Sequence, residues 1–79
     1  MTMRRAAITF DGPDARLVYE SLRPEAGREV PKTRVRLRPG RARVALTIDA
    51  DDTSALRAAV NSYLRWADLA ARVAQETSP

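Results

Sequence analysis

The longest uninterrupted pattern in the chain runs from Asp51 to Gln75 and has a helical period. At 100° per residue, Leu56, Val60, Tyr63, Ala67, Ala70 and Ala74 fall on one narrow face, with Arg57, Asn61, Arg65, Asp68 and Arg72 opposite. No Gly or Pro interrupts the stretch, and it is rich in Ala, Leu and Arg, which are strong helix formers. Asp51, Asp52, Thr53 and Ser54 stand where side-chain oxygens can accept from free backbone N–H groups and meet the positive end of the helix dipole. A second apolar flank, formed by Ala59, Trp66, Leu69 and Val73, turns away from the first stripe by roughly a quarter to a third of a turn, and more for Leu69. One sheet covers one stripe. The second flank, which holds the only Trp, therefore reads either as the margin of a wide core face or as a surface for a partner.

Upstream the period changes. From Arg4 to Phe10, Ala6, Ile8 and Phe10 alternate with Arg5, Ala7 and Thr9, the pattern of a half-buried strand. Asp11-Gly12-Pro13 ends it, and Pro at a first helical position suits a short helix over Asp14–Leu22. Val18 and Leu22 point inward there, with Leu17 and Tyr19 beside them. Pro24 and Gly27 predict its end, and residues 23–31 read as a polar loop. Lys32 to Arg38 is the cleanest alternation: Thr33, Val35 and Leu37 on one side, Lys32, Arg34, Arg36 and Arg38 on the other. Pro39-Gly40 reads as a turn. Ala42, Val44, Leu46 and Ile48 then make a third strand that faces the same core and forms a hairpin with the second.

The predicted order is strand-helix-strand-strand-helix. It is an α+β fold, a three-stranded antiparallel sheet with two helices packed on one face. The opposite sheet face then carries Arg5, Lys32, Arg34, Arg36, Arg38 and Arg43. The 79 residues read as a single domain, 1–79, with 75–79 as a frayed tail. A domain of this size buries only about 60–65% of its unfolded surface, so association with a partner is a natural source of further stability.

Charge sharpens the picture. The net charge is +4, but it is unevenly placed. Residues 30–43 hold Lys32, Arg34, Arg36, Arg38, Arg41 and Arg43 and no acid, whereas residues 44–79 hold three Arg against five Asp or Glu. Arginines on one strand face lie about 7 Å apart and can follow a phosphate backbone; they equally suit a solvated face or an edge charged against aggregation. No aromatic residue accompanies them on that face, so any nucleic-acid contact would read backbone and shape rather than bases.

Catalytic chemistry finds little support. Cys and His are both absent, which removes thiolate metal sites, disulfides and the commonest general base. Gly12, Gly27 and Gly40 are too far apart for a phosphate loop. Asp49, Asp51 and Asp52 form an acidic cluster that suits a strand end and helix cap better than a hard cation. Glu25 and Glu29 sit in the polar loop without an evident partner. The reading is of a chain that is not an enzyme on its own, with no catalytic residue, metal, cofactor or small-molecule substrate. Met-Thr-Met-Arg-Arg is not followed by a long apolar run, and no stretch approaches the ~20 apolar residues of a membrane span, so the expected location is cytoplasmic, with no membrane contact.

The core of the long helix, Ser54-Ala55-Leu56-Arg57-Ala58 and Asn61-Ser62-Tyr63-Leu64-Arg65-Trp66, resembles the signature of the small Pcc-type subunit of the KEOPS complex in its archaeal form. Val18-Tyr19-Glu20-Ser21-Leu22-Arg23-Pro24-Glu25 is similar to the family's first helix and its Pro-Glu ending. Element order and length agree, and the resemblance covers essentially the whole chain. It implies a homodimer that binds the catalytic subunit, an enzyme that transfers a threonylcarbamoyl group to adenosine beside the anticodon of tRNA. The small subunit is not catalytic in that scheme; it dimerises the assembly and helps hold tRNA. On that footing the helix wheel nominates Tyr19, Trp66, Leu69 and Val73 for the catalytic subunit, and the basic face nominates Lys32, Arg34, Arg36, Arg38 and Arg43 for the tRNA backbone. The alternatives are a stand-alone nucleic-acid-binding module, an older idea attached to the family as a transcription factor, and a family paralogue with another task.

Overall fold

The computed structural model describes residues 3–28 and 30–77. The order is β1 (Arg4–Asp11), α1 (Ala15–Ala26), β2 (Thr33–Gly40), β3 (Arg43–Ala50) and α2 (Thr53–Thr77). The three strands form one antiparallel sheet in the order β1-β3-β2, so the last strand is central. Centrality explains the burial. Val44, Leu46 and Ile48 of β3 are fully buried, while Ile8 and Phe10 of β1 and Val35 and Leu37 of β2 are half-buried at the edges. The register sets Ile8 and Leu37 either side of Leu46, and Ala6 and Val35 either side of Ile48.

Both helices cover this face. Ala15, Val18 and Leu22 of α1 and Tyr63, Ala67 and Ala70 of α2 close the core over β3. Leu56 and Val60 extend the α2 stripe at its margin, as the helical period predicts; the side chain of Ala74 lies outside the described residues. Each full burial of a Leu, Ile or Val side chain contributes about 1.5–3 kcal/mol. At 1.5 Å per residue, the 25 residues of α2 span about 37 Å, against about 27 Å for an eight-residue strand. The helix therefore outruns the sheet. Among the described residues its last buried position is Ala70, beyond which Arg72 and Val73 are exposed. The helix continues through Gln75 to Thr77; Ser78 and Pro79, expected to fray, fall outside the described residues.

Three boundaries differ from the sequence pattern. First, α1 does not stop at Leu22 but carries Pro24 within its last turn and runs to Ala26, so the loop expected over residues 23–31 is shorter. The N–H that Pro lacks is one bond, and the turn closes around it, with Gly27 N donating to Arg23 O at 3.2 Å and Arg28 N to Glu25 O at 3.2 Å. Glu25 thus lies on a helix and meets Arg28 at 3.7 Å; Glu29 is outside the described residues. Second, Pro39-Gly40 is not the hairpin turn. Pro39 pairs with Val44 and Gly40 with Arg43, so the chain reverses at Arg41-Ala42, with Ala42 at φ 51°. Pro39 is tolerated because β2 is an edge strand. Third, Lys32 precedes β2 in a turn, at φ 67°, instead of opening the strand.

Candidate interaction surfaces

The sheet face away from the helices is uncovered, and its side chains follow from the register. Across the three strands the rows read Arg5–Asp49–Arg34, Ala7–Thr47–Arg36, Thr9–Ala45–Arg38 and Asp11–Arg43–Gly40. The centre of the face is therefore small, made of Ala7, Thr9, Ala45 and Thr47, and the charges ring it.

Those charges are not equivalent. Arg5 holds Asp49 through two hydrogen bonds, Nε to Oδ1 at 2.6 Å and Nη2 to Oδ2 at 3.2 Å, and Arg36 approaches the same carboxylate at 3.6 Å. Arg43 Nε donates to Asp11 Oδ1 at 2.6 Å. Lys32 faces Asp52 at 3.7 Å, and Asp52 also accepts from Ala55 N at 2.7 Å, capping α2. Among the described residues, Arg34 and Arg38 form no ion pair. The acidic cluster of the sequence is thus divided: Asp49 belongs to the sheet face and Asp52 to the helix cap. Among the described residues no group of three His, Cys, Asp or Glu side chains is placed to hold a metal ion.

Asp49 stands at a strand end, as expected, but its ion pair with Arg5 leaves no mark in the alternation pattern. It is 7% exposed although it stands on the open face, because Arg5 and its neighbours on both adjoining strands close over it. The hydrogen bond from Arg5 holds its carboxyl below the usual carboxylate range; burial opposes this, and the charges of Arg5, Arg36 and Arg34 assist. A folded-state pKa below the unfolded value of about 3.9 makes the stabilisation complete above that pH and loses it as pH falls through the folded value. Asp49→Asn is accordingly expected to be less stable at pH 7 and to lose less further stability below about pH 4. Acid unfolding curves followed by circular dichroism check this; curves that stay parallel to wild type would deny the pair any role.

The second surface lies on α2. Trp66 is 37% exposed, Leu69 60% and Val73 49%. Trp66 rests edge-on against Tyr63, with ring centroids 5.2 Å apart, and Tyr63 is buried, with its phenol pushed up chiefly by that burial. Ala59, the fourth member of the flank, is half-buried and packs on the core, as does Tyr19 on α1. Of the four residues nominated for a protein partner, Tyr19 thus belongs largely to the fold, while the three on α2 are uncovered. Beside Trp66 a groove of about 840 Å³ opens between α2, β2 and the end of α1, lined in part by Glu25, Val30, Val35, Ala59 and Tyr63. Leu17 and Leu64 are exposed as well, at positions the helical wheel did not single out for a partner.

The chain is thus a small α+β domain with a charged open sheet face and an apolar helix flank exposed to solvent. The chain belongs to the Pcc1 family: the family model described as "Transcription factor Pcc1" matches residues 4–75. It is 42% identical over 69 residues to the KEOPS complex subunit Pcc1 of Pyrococcus abyssi (strain GE5 / Orsay), a match covering 84% of this chain and 83% of that protein. The resemblance seen in the α2 motif is therefore shown. No helix among the described residues is long and apolar enough to cross a membrane.

Proposed function

We propose that this chain is the small, non-catalytic subunit of a cytoplasmic KEOPS assembly. It forms a homodimer, bridges the subunit that makes threonylcarbamoyladenosine next to the anticodon of tRNA, and assists tRNA binding. The observation that carries this reading is the uncovered flank of Trp66, Leu69 and Val73, on the same helix as the family motif. An apolar strip on a helix that outruns its own sheet is costly in water and favours a protein cover. The relative from Pyrococcus abyssi is named as a subunit of that complex, which supports the choice of partner. Tyr19, Trp66, Leu69 and Val73 are assigned to the catalytic subunit; Lys32, Arg34, Arg36, Arg38 and Arg43 are assigned to tRNA.

Light scattering after gel filtration tests the reading, first on this chain alone and then on its mixture with the catalytic subunit from the same source. The expected result is a mass twice 8.8 kDa for the chain alone, and a larger complex on mixing. A species that ignores the enzyme would favour a paralogue or the second reading, a stand-alone nucleic-acid-binding module. The observation favouring that second reading is the row of arginines on β2.

A further inference from the structure

The basic face divides unequally among its strands. On the open side, β1 contributes Arg5 and Asp11, and β3 contributes Arg43 and Asp49, so each of these strands is neutral there. β2 contributes Arg34, Arg36 and Arg38 and no acid. The whole positive excess of the face thus stands on one edge strand. The two neutral strands are also paired with each other, Arg5 of β1 with Asp49 of β3 and Arg43 of β3 with Asp11 of β1, each at 2.6 Å, so their guanidinium groups are already engaged. Of the β2 arginines, Arg36 shares Asp49 at 3.6 Å, while Arg34 and Arg38 have no ion pair among the described residues.

We propose that RNA is held along β2 alone, with successive phosphates of one strand tracking Arg34, Arg36 and Arg38, and that Asp49 and Asp11 withdraw β1 and β3 from the contact. The assignment deepens the tRNA-binding part of the proposed function and rests on it. Alternate residues of a strand repeat every ~6.7 Å, a spacing at which each guanidinium can meet its own phosphate. The floor beside the arginines is small, with Thr47 next to Arg36 and Ala45 next to Arg38, so nothing bulky stands between the backbone and the sheet. No aromatic side chain occupies the outer face of β2, so binding follows charge and not base identity. The rail narrows the set of five basic residues assigned to tRNA above: Lys32 stands in the turn before β2, off the strand's alternation, and Arg43 already donates to Asp11 at 2.6 Å.

The test is a titration of the full-length chain with an unmodified tRNA transcript at several KCl concentrations. Three phosphate contacts give a log–log salt slope of roughly −2 to −3 for wild type. The double variant Arg34→Gln/Arg38→Gln is expected to flatten the slope to about −1 and weaken binding at 0.1 M KCl roughly 10- to 30-fold. The variant Arg57→Gln/Arg65→Gln removes the same charge from exposed positions of α2 and should stay within about twofold of wild type. If wild type binds with the expected slope and the β2 variant does not change it, the rail is overturned while tRNA binding stands. Equal weakening by the two variants would also overturn it, since net charge would then suffice. If wild type shows no salt-dependent binding at all, the tRNA-contact reading falls together with the rail.

Discussion

Trp66→Ala is expected to weaken binding to the catalytic subunit by roughly 30-fold or more while leaving the fold intact. Truncating a large aromatic anchor at the centre of a protein interface typically costs 2 kcal/mol or more, and 1.4 kcal/mol is a factor of ten. The cost to the isolated chain is smaller, because Trp66 is more than a third exposed and its main ring contact is the edge-on approach to Tyr63, a type of contact contributing about 0.5–1.5 kcal/mol. Tyr63 itself stays in the core, held by its own burial. Leu69→Ala makes a cleaner companion: at 60% exposure it has little to lose within the chain, yet it sits one turn along from Trp66 on the proposed surface. Calorimetric titration of both variants into the catalytic subunit, with circular dichroism as the check on folding, measures the effect. Wild-type affinity in both would place the interface elsewhere on the molecule.

The largest loss of stability is expected at Leu46. It is fully buried in the central strand, between Ile8 on β1 and Leu37 on β2, beneath both helices. Leu→Ala at such a site removes the transfer energy of the side chain and leaves a cavity, together about 2–5 kcal/mol. A domain of 79 residues has little to spare, since total stabilities run from about 5 to 15 kcal/mol. The melting temperature should fall by roughly 10–30 °C. Ile8→Ala on the half-buried edge should cost clearly less. Thermal melts of the two variants provide the comparison; equal shifts would mean that β3 is not the centre of the core.

The contrast between Leu46 and Asp49 shows where reading the chain residue by residue succeeds and where it stops. Alternation alone places Leu46 inward, because a strand has two faces and only one is apolar. The same alternation places Asp49 outward, which is correct, and carries no sign that it is buried there. Its burial comes from Arg5, 44 positions away, and from Arg34 and Arg36 on the other side. Those neighbours are set by the strand order β1-β3-β2 and by a hairpin that reverses at Arg41-Ala42, two residues beyond the Pro-Gly pair. A different turn would put other residues opposite Asp49. Pro24 teaches a related lesson: local propensity argues for a helix end, and packing around the fully buried Leu22 carries the helix past it.

By itself, the sequence determined the order of elements, the inward and outward face of each strand, the stripe of α2 that meets the sheet, and the family. All of these depend on periods of two or 3.6 residues, or on a contiguous motif, and so are local properties. Tertiary structure alone decided which strand is central, which arginines are already paired with carboxylates, and which members of the apolar flank stay uncovered. Those outcomes depend on residues that are distant in the chain and adjacent in space. The +3 excess of the open face, five arginines less two aspartates, becomes the property of β2 only once register has matched the other two arginines with Asp49 and Asp11.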